Sequence, residues 1–284
     1  MPRWTATRFA LERSFCRGMA VRRRRPSAEP SPDSMPGTLV YIHGLGESSY
    51  CFEQVICDPR LAARDHVAPD LVGYGKSSWD RGAVGVEQHA EHLEALIEEL
   101  ELRQVLLVGH SMGGVIGLYL ARRLHARDDI ELQGFINIEG NISPSDCTGS
   151  ALAAAQSLDE WLTTGFDDYL ASLTEPVDEA DASQERGAVL RAYFASASHA
   201  DPRTFHLNSR DLVRESATET LASRLADLDV PQIYIHGTPR GTGPRSLELL
   251  AEAGIPARPV NGAGHWPYLD QHEVFVDHVV DFLG

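Results

Sequence analysis

The stretch Gln104-Val105-Leu106-Leu107-Val108-Gly109-His110-Ser111-Met112-Gly113-Gly114-Val115 decides the fold. Gln104 to Val108 is a mostly apolar run of strand length, and Val115 to Arg127 carries a helical pattern. Between them Gly109 and Gly113 flank Ser111 at the spacing G-x-S-x-G. A strand that turns sharply through a serine into a helix needs residues without side chains beside that serine, because the turn leaves no room for them. The same turn lifts the hydroxyl above the carboxyl end of the sheet and aims the helix N-terminus at developing negative charge. Ser111 is therefore the expected nucleophile.

Outward from this elbow the chain alternates. Short β-rich runs recur at Thr38–Ile42, His66–Pro69, Val105–Val108, Gly134–Ile138, Gln232–Ile235 and Ala257–Val260, with helical patterns at Glu87–Glu101, Val115–Arg127 and Ser246–Ala253. Strands alternating with helices predict an α/β fold built on a doubly wound, mostly parallel sheet, with its core in residues 36–141 and 229–284. Residues 1–35 form an N-terminal segment, with possible edge strands over 5–12 and 19–25 and a Pro/Ser-rich linker from Pro26 to Pro36. From Asn141 to Leu228 only helical or irregular patterns are found. That is too long for a connection, and it predicts a helical cap inserted over 142–228. Trp161, Phe166, Tyr169, Tyr193, Phe194 and Phe205 fall in this insertion and are expected to form its own core rather than a ligand box.

Composition narrows the function classes. The formal charge is −16; the first 35 residues hold eight arginines against Glu12, Glu29 and Asp33, a balance of +5 that leaves −21 on the rest. An acidic body repels polyanions, so neither nucleic acid nor an anionic membrane is an expected partner. The run Arg22 to Arg25 is read as a solvated strand end rather than an anion-binding arm. No apolar run approaches the roughly 20 residues that span a bilayer. Cys16, Cys51, Cys57 and Cys147 show no metal-ligand spacing and are expected to be reduced thiols. The Arg-rich N-terminus lacks the apolar region of a secretory signal. It is poor in acids, as organelle transit segments are, but a cytoplasmic location is the expectation.

Two further segments carry chemistry. His43-Gly44-Leu45-Gly46 follows the strand Thr38–Ile42, where a backbone N–H can join the one after the nucleophile in binding an oxyanion. Leu45 and Met112 would be the donors. Gly262-Ala263-Gly264-His265-Trp266-Pro267 follows the last β-rich run. A serine hydroxyl needs a base within hydrogen-bond reach, and twelve histidines compete for that role. His110 should point away along the elbow, His43 suits support of the oxyanion loop, and His236 ends a strand. His89, His92, His272 and His278 fall on helical patterns. His265 alone lies in a Gly-rich loop after a late strand, so it is the expected general base.

Taken together, Ser111, the HGLG segment, Asp70-Leu71-Val72-Gly73-Tyr74-Gly75-Lys76-Ser77 and the GAGHW segment resemble the α/β-hydrolase superfamily over about residues 36–141 and 229–284. The resemblance implies that family's fold, its order of nucleophile, acid and histidine, and its helical cap. The acid departs from the common pattern. Most relatives carry it in the loop after the penultimate strand, which here reads His236-Gly-Thr-Pro-Arg-Gly-Thr-Gly243 and holds no carboxylate. The alternative known in the superfamily, as in some haloalkane dehalogenases, is the end of the strand after the nucleophile. Glu139 occupies that place and is the expected acid, with Asp146 or an acid from the insertion as the competing choices. A strand-capping salt bridge is the structural alternative for Glu139.

Dehalogenases and epoxide hydrolases of this fold use an aspartate at the elbow. A serine attacks acyl carbon instead, so alkyl halides and epoxides are disfavoured. The expected activity is hydrolysis of a small ester, thioester or lactone through an acyl-enzyme, with no metal or organic cofactor and a small molecule as the only expected partner. Acyl transfer to another acceptor and a catalytically silent ligand-binding receptor on the same scaffold are the alternatives.

Overall fold

The computed structural model describes residues 11–29, 35, 37–79, 82–173 and 184–284. Eight strands form one sheet: β1 (Glu12–Cys16), β2 (Met19–Arg24), β3 (Thr38–Ile42), β4 (Asp65–Pro69), β5 (Gln104–His110), β6 (Glu131–Ile138), β7 (Gln232–Pro239) and β8 (Ala257–Ala263). Their spatial order is β1-β2-β4-β3-β5-β6-β7-β8. The pairings from β4 to β8 are all parallel, whereas β1–β2 and β2–β4 are antiparallel.

Helices cover both faces, which is why the central strands read as nearly continuous apolar runs. The strand pleat sorts their side chains. Leu39 and Tyr41 of β3 pack with Phe275, Val276 and Val279 of the C-terminal helix His272–Leu283. Val40 and Ile42 face the opposite way, with Leu93 of Val86–Glu99 and Val115 of Met112–His125. Because β3 to β8 all run parallel, their carboxyl ends lie at one edge of the sheet, where the loops of interest emerge.

The N-terminal edge is a hairpin of Glu12–Cys16 and Met19–Arg24. The second strand is the one expected over 19–25, and residues 5–10 of the other expected strand lie outside the described residues. The hairpin's two-residue turn is Arg17-Gly18, both at positive φ (+54° and +83°), a conformation usually signalled by Asn-Gly. The basic run is paired within the fold. Arg22 lies 2.7 Å from Glu53, Arg23 lies 2.6 Å from Asp65, and Arg24 donates to the carbonyl of Ile56.

Between β6 and β7 the described residues contain helices and turns but no strand: Thr148–Ala154, Phe166–Ser172, Gln184–Ala197, Pro202–Ser216 and Leu221–Ala226 among them. Residues 174–183 of the expected cap lie outside the described residues. Trp161 stacks on Phe205 at 5.5 Å, and Phe205 meets Phe166 and Tyr169 at 5.7 and 5.3 Å, so these aromatics form an internal core. The insertion docks through buried polar groups as well. Asn208 accepts from the Tyr74 hydroxyl (2.7 Å) and from His89 Nε2 (3.1 Å) and donates to Val84 O (2.6 Å). No helix among the described residues is long and apolar enough to cross a membrane.

Candidate active site

β5 runs through His110, and the chain then turns at Ser111 with φ +52° and ψ −118°. This backbone is sparsely populated for a residue with a Cβ, and holding it costs about 1–3 kcal/mol. The turn is fixed by Ser111 N–H donating to Ile138 O (2.9 Å) and Gly114 N–H donating to Ser111 O (2.8 Å). A Cβ on Gly109 would run into Gly113 O, and one on Gly113 into Ile42 O. The motif's small residues are therefore required by close backbone approach. Met112 opens the helix Met112–His125, where backbone N–H groups have no intrahelical acceptor.

The loop after β3 is held from two sides. His43 Nε2 accepts from Leu71 N–H (3.0 Å), so Nδ1 carries the proton that bonds Gly44 O (2.9 Å). Burial lowers the His43 pKa and keeps the ring neutral, as this tautomer needs. Asp70, the first residue of the 70–77 motif, accepts from Ser49 N–H and Lys76 N–H, both at 2.8 Å, and so ties this loop to the one after β4. Tyr193 of the insertion donates to Leu45 O (3.0 Å) and lies 2.9 Å from the Tyr169 hydroxyl.

Glu139 follows the last residue of β6 at φ +50°, and its carboxylate turns toward the neighbouring loops. Oε2 lies 3.3 Å from His265 Nδ1, at the long end of hydrogen bonding. Oε1 accepts from Gly237 N–H (2.7 Å) and Thr242 N–H (3.1 Å). The segment 236–243, the end of β7 and the loop after it, thus has no carboxylate but supplies the N–H groups that hold one. Burial would raise the Glu139 pKa, but the His265 hydrogen bond and charge and the two N–H donors outweigh it, and the net shift is downward. For His265, burial lowers the pKa, and Glu139, with help from the charges of Glu47 and Asp146, raises it above the ordinary value. Asp146 is not bonded to His265. Its Oδ2 accepts from Ile142 N–H (2.8 Å), Ser143 N–H (3.0 Å) and Ser246 Oγ (2.7 Å), as a turn anchor does.

His265 follows β8 in the loop before Pro267 and is partly open to solvent. Among the described residues no hydrogen bond joins the Ser111 hydroxyl to His265. Such contacts commonly tighten only when substrate is bound. Two of the other histidines considered have partners elsewhere: His272 lies 3.0 Å from Asp58, and His236 Nδ1 lies 3.3 Å from Gly237 O.

One group escaped the sequence reading. Glu47, buried below the HGLG segment, accepts from Gly44 N–H (2.7 Å) and Trp266 Nε1–H (2.5 Å), and its Oε2 lies 3.0 Å from His110 Nδ1. His110 Nε2 in turn lies 2.8 Å from the carbonyl of His265, and the two rings are 4.8 Å apart. Only the Gly44 contact, three residues away, is local enough to leave a sequence signal. Among the described residues no group of three or more His, Cys, Asp or Glu side chains is placed to hold a metal ion.

The model of the alpha/beta hydrolase family matches residues 39–278. The chain belongs to that family. Among curated proteins the chain is similar to the 2-hydroxy-6-oxo-2,4-heptadienoate hydrolase of Pseudomonas putida, 25% identical over 87% of this chain and 88% of that one. A shorter match to the magnesium-chelatase 30 kDa subunit of Rhodobacter capsulatus is 42% identical but spans only 29% of either chain. Among solved structures, an esterase of Thermogutta terrifontis superposes with a TM-score of 0.71 at 19% identity, covering 93% of each chain. The enol-lactonase of Burkholderia xenovorans gives 0.69 at 22% identity, covering 96% of this chain and 99% of that one. These two likenesses are of fold. The α/β-hydrolase expectation for both fold and enzyme class thus holds.

Proposed function

We propose that this α/β-hydrolase cleaves a small ester, thioester or lactone through an acyl-enzyme on Ser111. The observation that carries the reading is the Glu139 carboxylate, 3.3 Å from His265 Nδ1 and beside the strand that ends in the Ser111 elbow. With Nδ1–H so engaged, His265 Nε2 is the ring nitrogen left to take the Ser111 proton. Ser111 Oγ attacks the carbonyl carbon as its proton passes to Nε2. The N–H groups of Leu45 and Met112 stabilise the oxyanion, and Glu139 stabilises the imidazolium. Collapse breaks the bond to the alcohol or thiol, which leaves with the proton held by His265; in a lactone the alcohol stays tethered to the acyl group. Water, deprotonated by the same imidazole, then attacks the acyl-enzyme and frees the acid and Ser111.

The structural neighbours that carry the names esterase and enol-lactonase support this chemistry. The substrate is proposed to enter beneath the insertion, whose Tyr193 reaches the loop at Leu45. A panel of acyl esters of increasing chain length, lactones and thioesters tests the reading. At least one class should turn over in the wild type and none in a folded Ser111→Ala variant. Turnover that survives in Ser111→Ala would contradict it.

A further inference from the structure

Glu47 takes no part in the steps above, yet it is buried, and burial is costly for a carboxylate unless it is paired and fully hydrogen-bonded. Its three donors come from three separate segments: Gly44 N–H, His110 Nδ1 and Trp266 Nε1–H. Each donor adjoins one working part. Gly44 precedes Leu45, His110 precedes Ser111, and Trp266 follows His265. The His110 ring closes the arrangement by reaching the carbonyl of His265 itself at 2.8 Å, and the Tyr268 hydroxyl lies 3.2 Å from His110 Nδ1. The hydrogen bonds and the charge of His110 outweigh burial and bring the Glu47 pKa down to about 2, so it is an anion at neutral pH.

We infer that Glu47 is a positioning residue whose carboxylate sets the oxyanion loop, the nucleophile elbow and the histidine loop at fixed separations. The inference rests on the serine-hydrolase reading. A carboxylate suits the role because it offers acceptor sites in several directions and no donor, matching three donors that converge from two loops and the end of β5. Glutamine at this position would present an NH2 to at least one of those donors. The loops would then separate by fractions of an ångström, enough to disturb a reaction that depends on alignment.

The test compares Glu47→Gln, Trp266→Phe and the double variant with the wild type. Titration with a phosphonate ester counts competent sites, and kcat per site is read on p-nitrophenyl acetate at the pH plateau. Glu47→Gln should lower kcat per site by roughly 10²–10³-fold with KM within about threefold, and Trp266→Phe should lower it by about tenfold. The double variant should be about as slow as Glu47→Gln alone, because both changes break one network. A Glu47→Gln variant within about twofold of wild-type kcat per site, or losses that simply multiply, would overturn the inference. If Glu47→Gln does not fold, Trp266→Phe carries the same test, a fall in kcat at constant KM against no fall. A wild type that neither labels nor hydrolyses would overturn the serine-hydrolase reading instead. The positioning claim is then read by NMR in Trp266→Phe. Displaced amide signals at Leu45 and Met112, along with His265, support it, and shifts confined to the neighbours of Trp266 overturn it.

Discussion

Ser111 and Glu139 are non-glycine residues held at φ +52° and +50°, one at the tip of β5 and the other just past β6, its neighbour. Strained backbone at two adjacent strand tips is what a fold maintains when side chains must be aimed rather than merely accommodated. The aim of Glu139 has a measurable consequence in pH. A general base works only when neutral, so turnover should rise with pH through a His265 pKa that Glu139 holds above the ordinary value. Glu139→Gln removes that charge, so the acidic limb should move to lower pH. The plateau should fall by roughly two to four orders of magnitude, because the amide can favour the wrong tautomer. A pH–rate profile checks both, and an unmoved limb with wild-type kcat would count against the assignment. At this scale the sequence was informative where a motif was local. Glu139 was singled out by its place after a strand and by the missing carboxylate at 236–243, and its carboxylate lies 3.3 Å from His265 Nδ1. Glu47 was not, because two of its three partners, His110 and Trp266, lie far along the chain and meet it only in the folded protein.

The loop proposed to bind the oxyanion would set the site through its backbone rather than through single side chains. Leu45 is expected to act through its backbone, so Leu45→Ala should leave kcat within about threefold of wild type. Gly46 sits at φ +73°, and a Cβ there would come within 2.7 Å of the Tyr193 hydroxyl and 3.0 Å of the Phe205 ring. Gly46→Val should therefore lower ester turnover by at least about a hundredfold, through backbone strain and a displaced insertion helix. Steady-state kinetics on the two folded variants checks the contrast, and equal effects would refute a backbone role for the loop. The parallel strands were legible because burial on both faces writes an apolar run into the sequence. The second strand of the N-terminal hairpin was legible, but the run of β1 to Cys16 was not, because β1 is largely exposed and its turn is Arg17-Gly18. β7 and β8 run on to Pro239 and Ala263, where Thr238 pairs with Asn261; these polar ends read as loop.

Across the whole molecule, the sheet supplies the proposed catalytic groups and the insertion between β6 and β7 is expected to choose the substrate. The insertion touches the site through Tyr193 on Leu45 O and through Ser196 Oγ, 3.0 Å from Ser48 Oγ. Exchanging residues 142–228 for the corresponding segment of a relative should change the preferred acyl chain in a substrate panel while a small generic ester still turns over. Unchanged preference in a folded exchange would show that selection lies elsewhere. The sequence located this insertion by its lack of strand patterns but could not reveal its contacts, since Tyr193 reads the same whether its hydroxyl is buried in a helical core or reaches a loop. The proposed chemistry depends on Ser111 being the nucleophile. Intact-mass and peptide mapping after treatment with a fluorophosphonate tests this most directly. The account predicts one adduct per chain, on the peptide containing Ser111, and none on a folded Ser111→Ala variant. An adduct on another serine, or an unlabelled wild type that still hydrolyses esters, would contradict it.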